Sequence, residues 1–316
     1  MEDFPKTQSE FEARFSTEEA CRSYLVALRW PEGFRCPRCA GMRAWATRRG
    51  LMVCSGCEYQ LSVTAGTIFQ DTRKPLTMWF RAMWHVTAMK TGASALGIQR
   101  VLGLGSYETS WTWLHKLRRA MVRPGRDRLS GRVEVDETYW GAAETGGVEG
   151  RKIEKKALIV VAAQEDGHGI GRVRMGCVPD ASPKVLGAFV AAAIEPGSTV
   201  HTDGWHGYSR LTKNGYVHEV SVLARRKESP SELLPRVHRV IALLKTWLRG
   251  THQGAVRHGH LDYYLDEFTF RFNRRTSRSR GKLFYRLVQQ AVQMDPAPYK
   301  DIILRGQEQR SGRHKM

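Results

Sequence analysis

Apolar residues recur at helical spacing through the first thirty positions, where Phe11, Phe15, Ala20, Tyr24, Leu25 and Leu28 share one side and Ser16-x-x-Glu19 offers a capping box. Residues 1–30 are therefore expected to form a helical lead-in. Over 31–70 the pattern changes to short β-like runs, RAWATR, LMVCS and YQLSVT, set among turn-rich segments. Helical spacing returns at 71–122 in LTMWFRAMWHVTAMK, SALGIQRVLGL and YETSWTWLHKLRRAM, three helices split by Gly-containing turns in the manner of a helix-turn-helix. RPGRDRLSG, at 123–131, has the composition of a linker. Strand-like runs follow in RVEVDETYW, KALIVVAAQ and IGRVRMGCV, then a helix at 182–194, the strands STVHTDG and YVHEVSV, and helices at 232–250, 260–275 and 282–292.

Four of the six cysteines, Cys36, Cys39, Cys54 and Cys57, form two CxxC pairs inside the β-like region, while Cys21 and Cys177 stand alone. Four thiolates satisfy a tetrahedral Zn²⁺ completely, so this set predicts one structural zinc ion in a ribbon, in preference to a redox dithiol. The strand and helix order over 132–295 matches the mixed α/β order of a ribonuclease H-like domain, and 296–316 form a basic tail. The expected fold is multidomain α+β: a zinc ribbon and helix-turn-helix-like helices, then a ribonuclease H-like α/β domain built on a mixed sheet.

Charge narrows the class of partner. Fifty Lys and Arg against thirty-one Asp and Glu leave a net charge of +19, which favours a polyanion, nucleic acid before all. No apolar run is long enough for a bilayer span, so a membrane partner is not expected. The acidic first residues, MEDFPKTQSEFEARF, lack a signal-peptide pattern, and a cytoplasmic location is expected. Lys116, Arg118 and Arg119 close the third helix of the 71–122 segment and are the candidate DNA contacts there.

Several acidic and basic residues are candidates for chemistry. Along RVEVDETYW, Glu134, Asp136 and Thr138 share one face, and Val133, Val135 and Glu137 share the other. A carboxylate on a core-directed face demands a partner, and Mg²⁺ is one such partner; read alone, Asp136 could equally cap a turn. Asp203 ends the strand STVHTDG, where ligands approach α/β sheets, although Asp-Gly is also a common turn. In the helix at 232–250, Val237, Val240, Ile241, Leu244 and Leu248 form the apolar stripe, and His238 and Lys245 lie about two turns apart on a neighbouring face. A neutral imidazole can ligate a divalent metal and a lysine can hold a phosphate, but a boundary histidine and a solvated lysine fit the same spacing. Glu267, Arg271 and Arg274 flank the stripe Leu261, Tyr264, Leu265, Phe268 and Phe272, either as a salt-bridge ladder or as a buttress for the metal-bearing helix.

Taken together, CPRC and CSGC, TAGTIFQDTRKPLTMWF, VEVDETYWG, HTDGW, VHRVIALLKTWLRGTHQG and HLDYYLDEFTFRFNRR resemble the zinc-ribbon insertion-sequence transposases of the ISXO type, from about Phe11 to about Arg275. The resemblance implies a catalytic set of two aspartates and a helical Glu or Asn followed seven residues later by Lys. Carried over, these fall on Asp136, Asp203, His238 and Lys245, and the family's spaced Glu-Arg-Arg falls on Glu267, Arg271 and Arg274. His238 departs from the commonest pattern. An imidazole for a carboxylate removes a negative charge and relatively favours Mn²⁺ over Mg²⁺. Glu134, on the strand face of Asp136, is the reserve ligand.

The implied activity is binding of terminal inverted repeats, cleavage of the ends, and joining of 3′-hydroxyls to target DNA by two-metal phosphoryl transfer, with Asp136, Asp203 and His238 holding Mg²⁺. A homodimer or larger oligomer is expected to pair two ends. Two other readings stay open: a DNA-binding regulator with a degenerate nuclease core, and a metal nuclease that hydrolyses without joining.

Overall fold

The computed structural model describes residues 2–123, 125–141, 156–221 and 230–304, and the chain divides into two compact units. The first comprises residues 1–123 and 276–304. Its helices are α1 (Gln8–Arg14), α2 (Glu18–Arg29), α3 (Leu76–Ala88), α4 (Ala95–Leu102), α5 (Tyr107–Ala120) and, from the far end of the chain, α10 (Arg280–Ala291). Three short strands, β1 (Ala44–Ala46), β2 (Leu51–Cys54) and β3 (Gln60–Ser62), pair antiparallel in that order. The expected single lead-in helix is two. The chain leaves α1 at Phe15, and α2 restarts with Thr17, not Ser16, as the cap that accepts the Ala20 N–H. Breaking there lets Phe15 meet Tyr24, Phe80 and Phe284 in one ring cluster.

That cluster also relocates a boundary. The helix near 282–292 was expected to end the ribonuclease H-like region, yet Phe284 packs on Phe11, Trp84 and Phe80, so residues 276–304 belong to the first unit. A buried aromatic side chain goes where it can lose most water-exposed area, and the aromatic residues that receive Phe284 lie in the N-terminal helices. Helices α4 and α5 make the helix-turn-helix-like pair. Gly103 ends α4 in the left-handed conformation (φ 63°), and Ser106 caps α5 by accepting the Glu108 N–H.

The second unit begins at Pro124 and holds a five-stranded sheet of order β6-β5-β4-β7-β8. Strands β4 (Arg132–Trp140), β5 (Ala157–Asp166) and β6 (Gly169–Val178) run antiparallel, while β7 (Thr199–Thr202) and β8 (Val217–Val220) lie parallel to β4. This is the mixed sheet of the expected ribonuclease H-like domain. Helix α6 (Pro183–Ala193) covers one face, burying Leu186 and Val190 against Val133, Val135, Val160 and Val200. On the other face, α8 (Pro235–Gly250) and α9 (Leu261–Phe272) bury Val237, Val240, Leu244, Leu265 and Phe268 against Ile159, Val161 and Val173. A short helix, α7 (Pro230–Leu233), precedes α8, and Pro235 starts the longer helix where its missing N–H costs nothing.

The outer edge of β6 is covered by side chains of α9 and the residues just after it. Val173 donates its N–H to Asn273 Oδ1 (2.7 Å) and receives Asn273 Nδ2 on its carbonyl (3.1 Å). The Cys177 N–H goes to Asp262 Oδ1 (3.0 Å), and Arg275 donates to the Gly171 carbonyl (3.2 Å). No described helix is long and apolar enough to cross a membrane. The basic tail at 296–316 lies outside the described residues beyond Leu304.

Candidate active site and zinc knuckles

Asp136 lies in the middle of the sheet on β4, and Asp203 follows the last residue of β7, its parallel neighbour. Glu134 pairs with His201 across these strands, so two residues on, Asp136 and Asp203 stand level. Alternation puts Glu134, Asp136, Thr138 and Trp140 on the α8 side. The chain turns away at Gly204, whose φ of 89° suits glycine, and the Trp205 N–H comes back to Asp203 Oδ1 at 2.9 Å.

Helix α8 presents His238 to this pair, with Nε2 3.7 Å from Asp136 Oδ2. Lys245, two turns along, is close enough to Asp136 for their charges to interact. Burial pushes the Asp136 carboxyl up to about 6, with the Asp203 carboxylate adding to the rise. Burial likewise holds His238 below the ordinary imidazole value, outweighing the opposite pull of Glu134 and Asp203, so the ring is neutral near pH 7. The Lys245 ammonium is lowered chiefly by burial, and next by Arg249. Two carboxylates and a neutral imidazole brought together at such a cost fit a divalent cation, which removes the repulsion. Among the described residues, only the four cysteines bring three or more ligand atoms within 4.8 Å of one another, so the Asp136, Asp203 and His238 set is wider than a closed cage.

One residue at this site carries functional weight that the sequence did not assign, and another carries a different one. Glu137, on the α6 side of β4, is pushed up to about 7, first by burial and then by Asp136 and Asp203, and it accepts the Tyr208 hydroxyl at 2.5 Å. The signal was present in the alternation, which put a carboxylate among Val133 and Val135. Glu134 is 1% exposed, and both of its oxygens are engaged by α8. Oε2 accepts the N–H groups of Arg236 (2.8 Å) and Val237 (2.9 Å), and Oε1 takes the Arg236 guanidinium (3.1 Å). Glu134, expected as a reserve ligand, thus caps the helix that carries His238.

Glu267 is fully buried and bonds Arg271 at 2.8–2.9 Å, while the Arg274 guanidinium lies 4.1 Å from the Phe270 ring centroid. Of the basic residues of α5, Arg118 is 2% exposed, which corrects its expected role as a DNA contact; Lys116 and Arg119 are partly exposed. A charged group with so little surface cannot meet a phosphate without the helix repacking.

The zinc knuckles repeat one local geometry twice. Ala40 (φ 58°) and Glu58 (φ 55°) each follow a second cysteine and return their N–H to the carbonyl of the first, Cys36 and Cys54, at 2.9 Å. Cys36 and Cys57 Sγ lie 3.7 Å apart, and Cys39 and Cys54 Sγ 3.5 Å. A tetrahedron with bonds of about 2.3 Å has edges of about 3.8 Å. The four sulfurs thus already form a cage of the size a Zn²⁺ ion requires. A Cβ at Gly41 would stand 3.2–3.3 Å from Cys54 and Cys39 Sγ, so a side chain there would press on two of the four sulfurs. Cys21 is buried in the helical core and plays no part.

Comparison with known proteins finds a family model over each part. Residues 128–273 match the family model of the ISXO2-like transposase domain, and residues 16–60 match that of the transposase zinc-ribbon domain. The chain is also similar to an uncharacterized protein in transposable element ISH50 of Halobacterium salinarum, with 24% identity over 222 residues, 63% of this chain and 72% of the relative.

Proposed function

The chain belongs to the zinc-ribbon, ISXO2-like transposases of insertion sequences, and from that premise we propose that it binds the terminal inverted repeats of its element, cleaves the ends and joins their 3′-hydroxyls to target DNA by metal-dependent phosphoryl transfer. The observation that carries the proposal is the meeting of Asp136, Asp203, His238 and Lys245 inside the transposase domain.

Asp136, Asp203 and His238 are the residues that would hold Mg²⁺ or Mn²⁺. Bound there, such ions would supply Lewis acidity for a nucleophile and a leaving oxygen. The neutral His238 offers a nitrogen lone pair in place of the third carboxylate, which shifts preference toward Mn²⁺. Lys245 sets its ammonium against a non-bridging phosphate oxygen of the strand being cut. Tyr208 donates to Glu137 and fixes that carboxyl behind Asp136. Glu267 and Arg271 hold α9 rigid beneath α8, with Arg274 as their neighbour.

The zinc ribbon and the helices of the 71–122 segment bind the ends, with Lys116 and Arg119 as backbone contacts and the net charge of +19 supplying affinity. Two ends held for joining call for a homodimer or larger assembly. Asp136→Asn and Asp203→Asn are expected to remove cleavage and strand transfer of labelled ends in Mg²⁺ and Mn²⁺ while end binding survives. Full activity in either variant refutes the proposal. Cutting without joining in the unaltered protein reduces the activity to hydrolysis, and binding without cutting reduces it to a regulator.

A further inference from the structure

Helix α8 carries two of the four candidate catalytic residues, yet nothing in its own sequence caps it. Leu234 and Pro235 open the helix, no local side chain accepts its first N–H groups, and its first turn holds no acidic residue. The acceptor comes from 102 residues earlier in the chain, where Glu134 Oε2 takes the N–H groups of Arg236 and Val237 at 2.8 and 2.9 Å. A buried carboxylate at a helix N-terminus is stabilised by the helix dipole and satisfies donors that would otherwise be orphaned.

Arg236 locks the joint from the other side. Its guanidinium reaches Glu134 Oε1 (3.1 Å), Glu165 Oε1 (2.7 Å), and the carbonyls of Gly167 (3.0 Å) and Gly169 (3.1 Å) at the β5–β6 turn. All three guanidinium nitrogens are used, so one side chain ties the first turn of α8 to β4, to β5 and to the hairpin tip. Glu165 is itself held by Arg132 at 3.1 Å.

The geometry closes a small ring. Glu134 and Asp136 share one face of β4, two residues apart, and Arg236, Val237 and His238 are consecutive on α8. Hydrogen bonds join the ring at Glu134, and the 3.7 Å approach of His238 to Asp136 is its other side. We propose that Glu134 and Arg236 are positioning residues that set the distance between His238 and Asp136, and with it the affinity of the site for its divalent ion. This rests on the metal-site reading above and deepens it: Glu134 touches the ion through the helix it holds, never directly.

A positioning carboxylate and a ligand carboxylate respond oppositely to conservative change. Glu134→Gln keeps an oxygen at the same reach to accept both helix N–H groups; its amide nitrogen cannot accept from Arg236, whose guanidinium still holds Glu165 and the Gly167 and Gly169 carbonyls. Glu134→Asp keeps the charge but falls short by a methylene. The test uses the full-length, zinc-loaded chain. It measures Mn²⁺ affinity, Mn²⁺-induced broadening of the His238 imidazole signals, hydrogen exchange at the Arg236 and Val237 amides, and strand transfer.

Glu134→Gln is expected to stay within about threefold of the unaltered protein with its amides protected. Glu134→Asp is expected to lose about 10- to 100-fold in Mn²⁺ affinity, the usual range for groups that orient metal ligands, with exchange of both amides accelerated. Arg236→Lys, which cannot span its four partners, should follow Glu134→Asp. The proposal is overturned by Glu134→Asp outperforming Glu134→Gln, which marks a ligand, or by neither variant changing affinity. Asp136→Asn run in parallel separates the two levels: if it leaves Mn²⁺ affinity and strand transfer intact, the metal-site reading itself has failed, whatever Glu134 does.

Discussion

Replacing Asp136 by asparagine should stabilise the metal-free protein while abolishing its chemistry. The Asp136 carboxyl is pushed from 3.8 to about 6, and its side chain is 14% exposed, so solvent relieves little of the cost. Two pH units at about 1.36 kcal/mol each amount to about 3 kcal/mol of penalty on the ionised folded state. A carboxyl whose value is raised on folding binds its proton more tightly in the native state. The penalty is thus absent below about pH 4 and grows as pH rises to about 6, where it is complete.

Asparagine keeps the shape and the acceptor oxygen without the charge. In zinc-replete buffer free of other divalent ions, Asp136→Asn should therefore match the unaltered chain near pH 4 and exceed it by up to about 3 kcal/mol at pH 7.5. At about 2–4 °C per kcal/mol for a unit the size of residues 124–275, calorimetry should read a Tm gain of several degrees. Added Mn²⁺ should raise the Tm of the unaltered chain and not that of the variant. A lower Tm for the variant at pH 7.5, or a difference independent of pH, refutes the reasoning.

Three further outcomes follow from the same structure. His238→Glu restores a hard oxygen ligand and should raise the ratio of Mg²⁺- to Mn²⁺-supported strand transfer, whereas His238→Ala should depress both; an unchanged ratio removes His238 from the site. Mass spectrometry of the native protein should find one zinc per chain, and Cys39→Ser should lose it together with end binding, measured by gel shift. Glu267→Ala removes a fully buried acceptor of the Arg271 guanidinium and should cost about 3–5 kcal/mol in urea unfolding, while Glu267→Gln, still able to accept from it, should cost less.

Much of the architecture was legible before any coordinates, because strand alternation and helical stripes report which face is buried. The stripe of α8 and the α9 stripe are buried as their spacing implied, and the two CxxC pairs do converge. What escaped were interactions set by distance in space. Nothing in PRVH says that its second residue clamps a glutamate a hundred positions upstream. Nothing in KLFYRLVQQAV says that Phe284 completes a ring cluster begun at Phe11. Arg118 was misread for a related reason: a basic run looks solvated until the helix phase of each member is known, and the buried residues Leu114 and Leu117 place Arg118 among the inward positions. Glu137 was legible and passed over.

The covering of β6 by Asp262, Asn273 and Arg275 has a consequence for how the second unit comes apart. An outer strand whose backbone groups are held by side chains cannot shed water-accessible amides one at a time, because freeing Val173 or Cys177 means moving α9 as well. Strand and helix are thus expected to open largely as one block. The same covering denies neighbouring chains a template for strand addition along that side. Copies of the chain brought close together thereby crowd without growing sheet from one copy into the next.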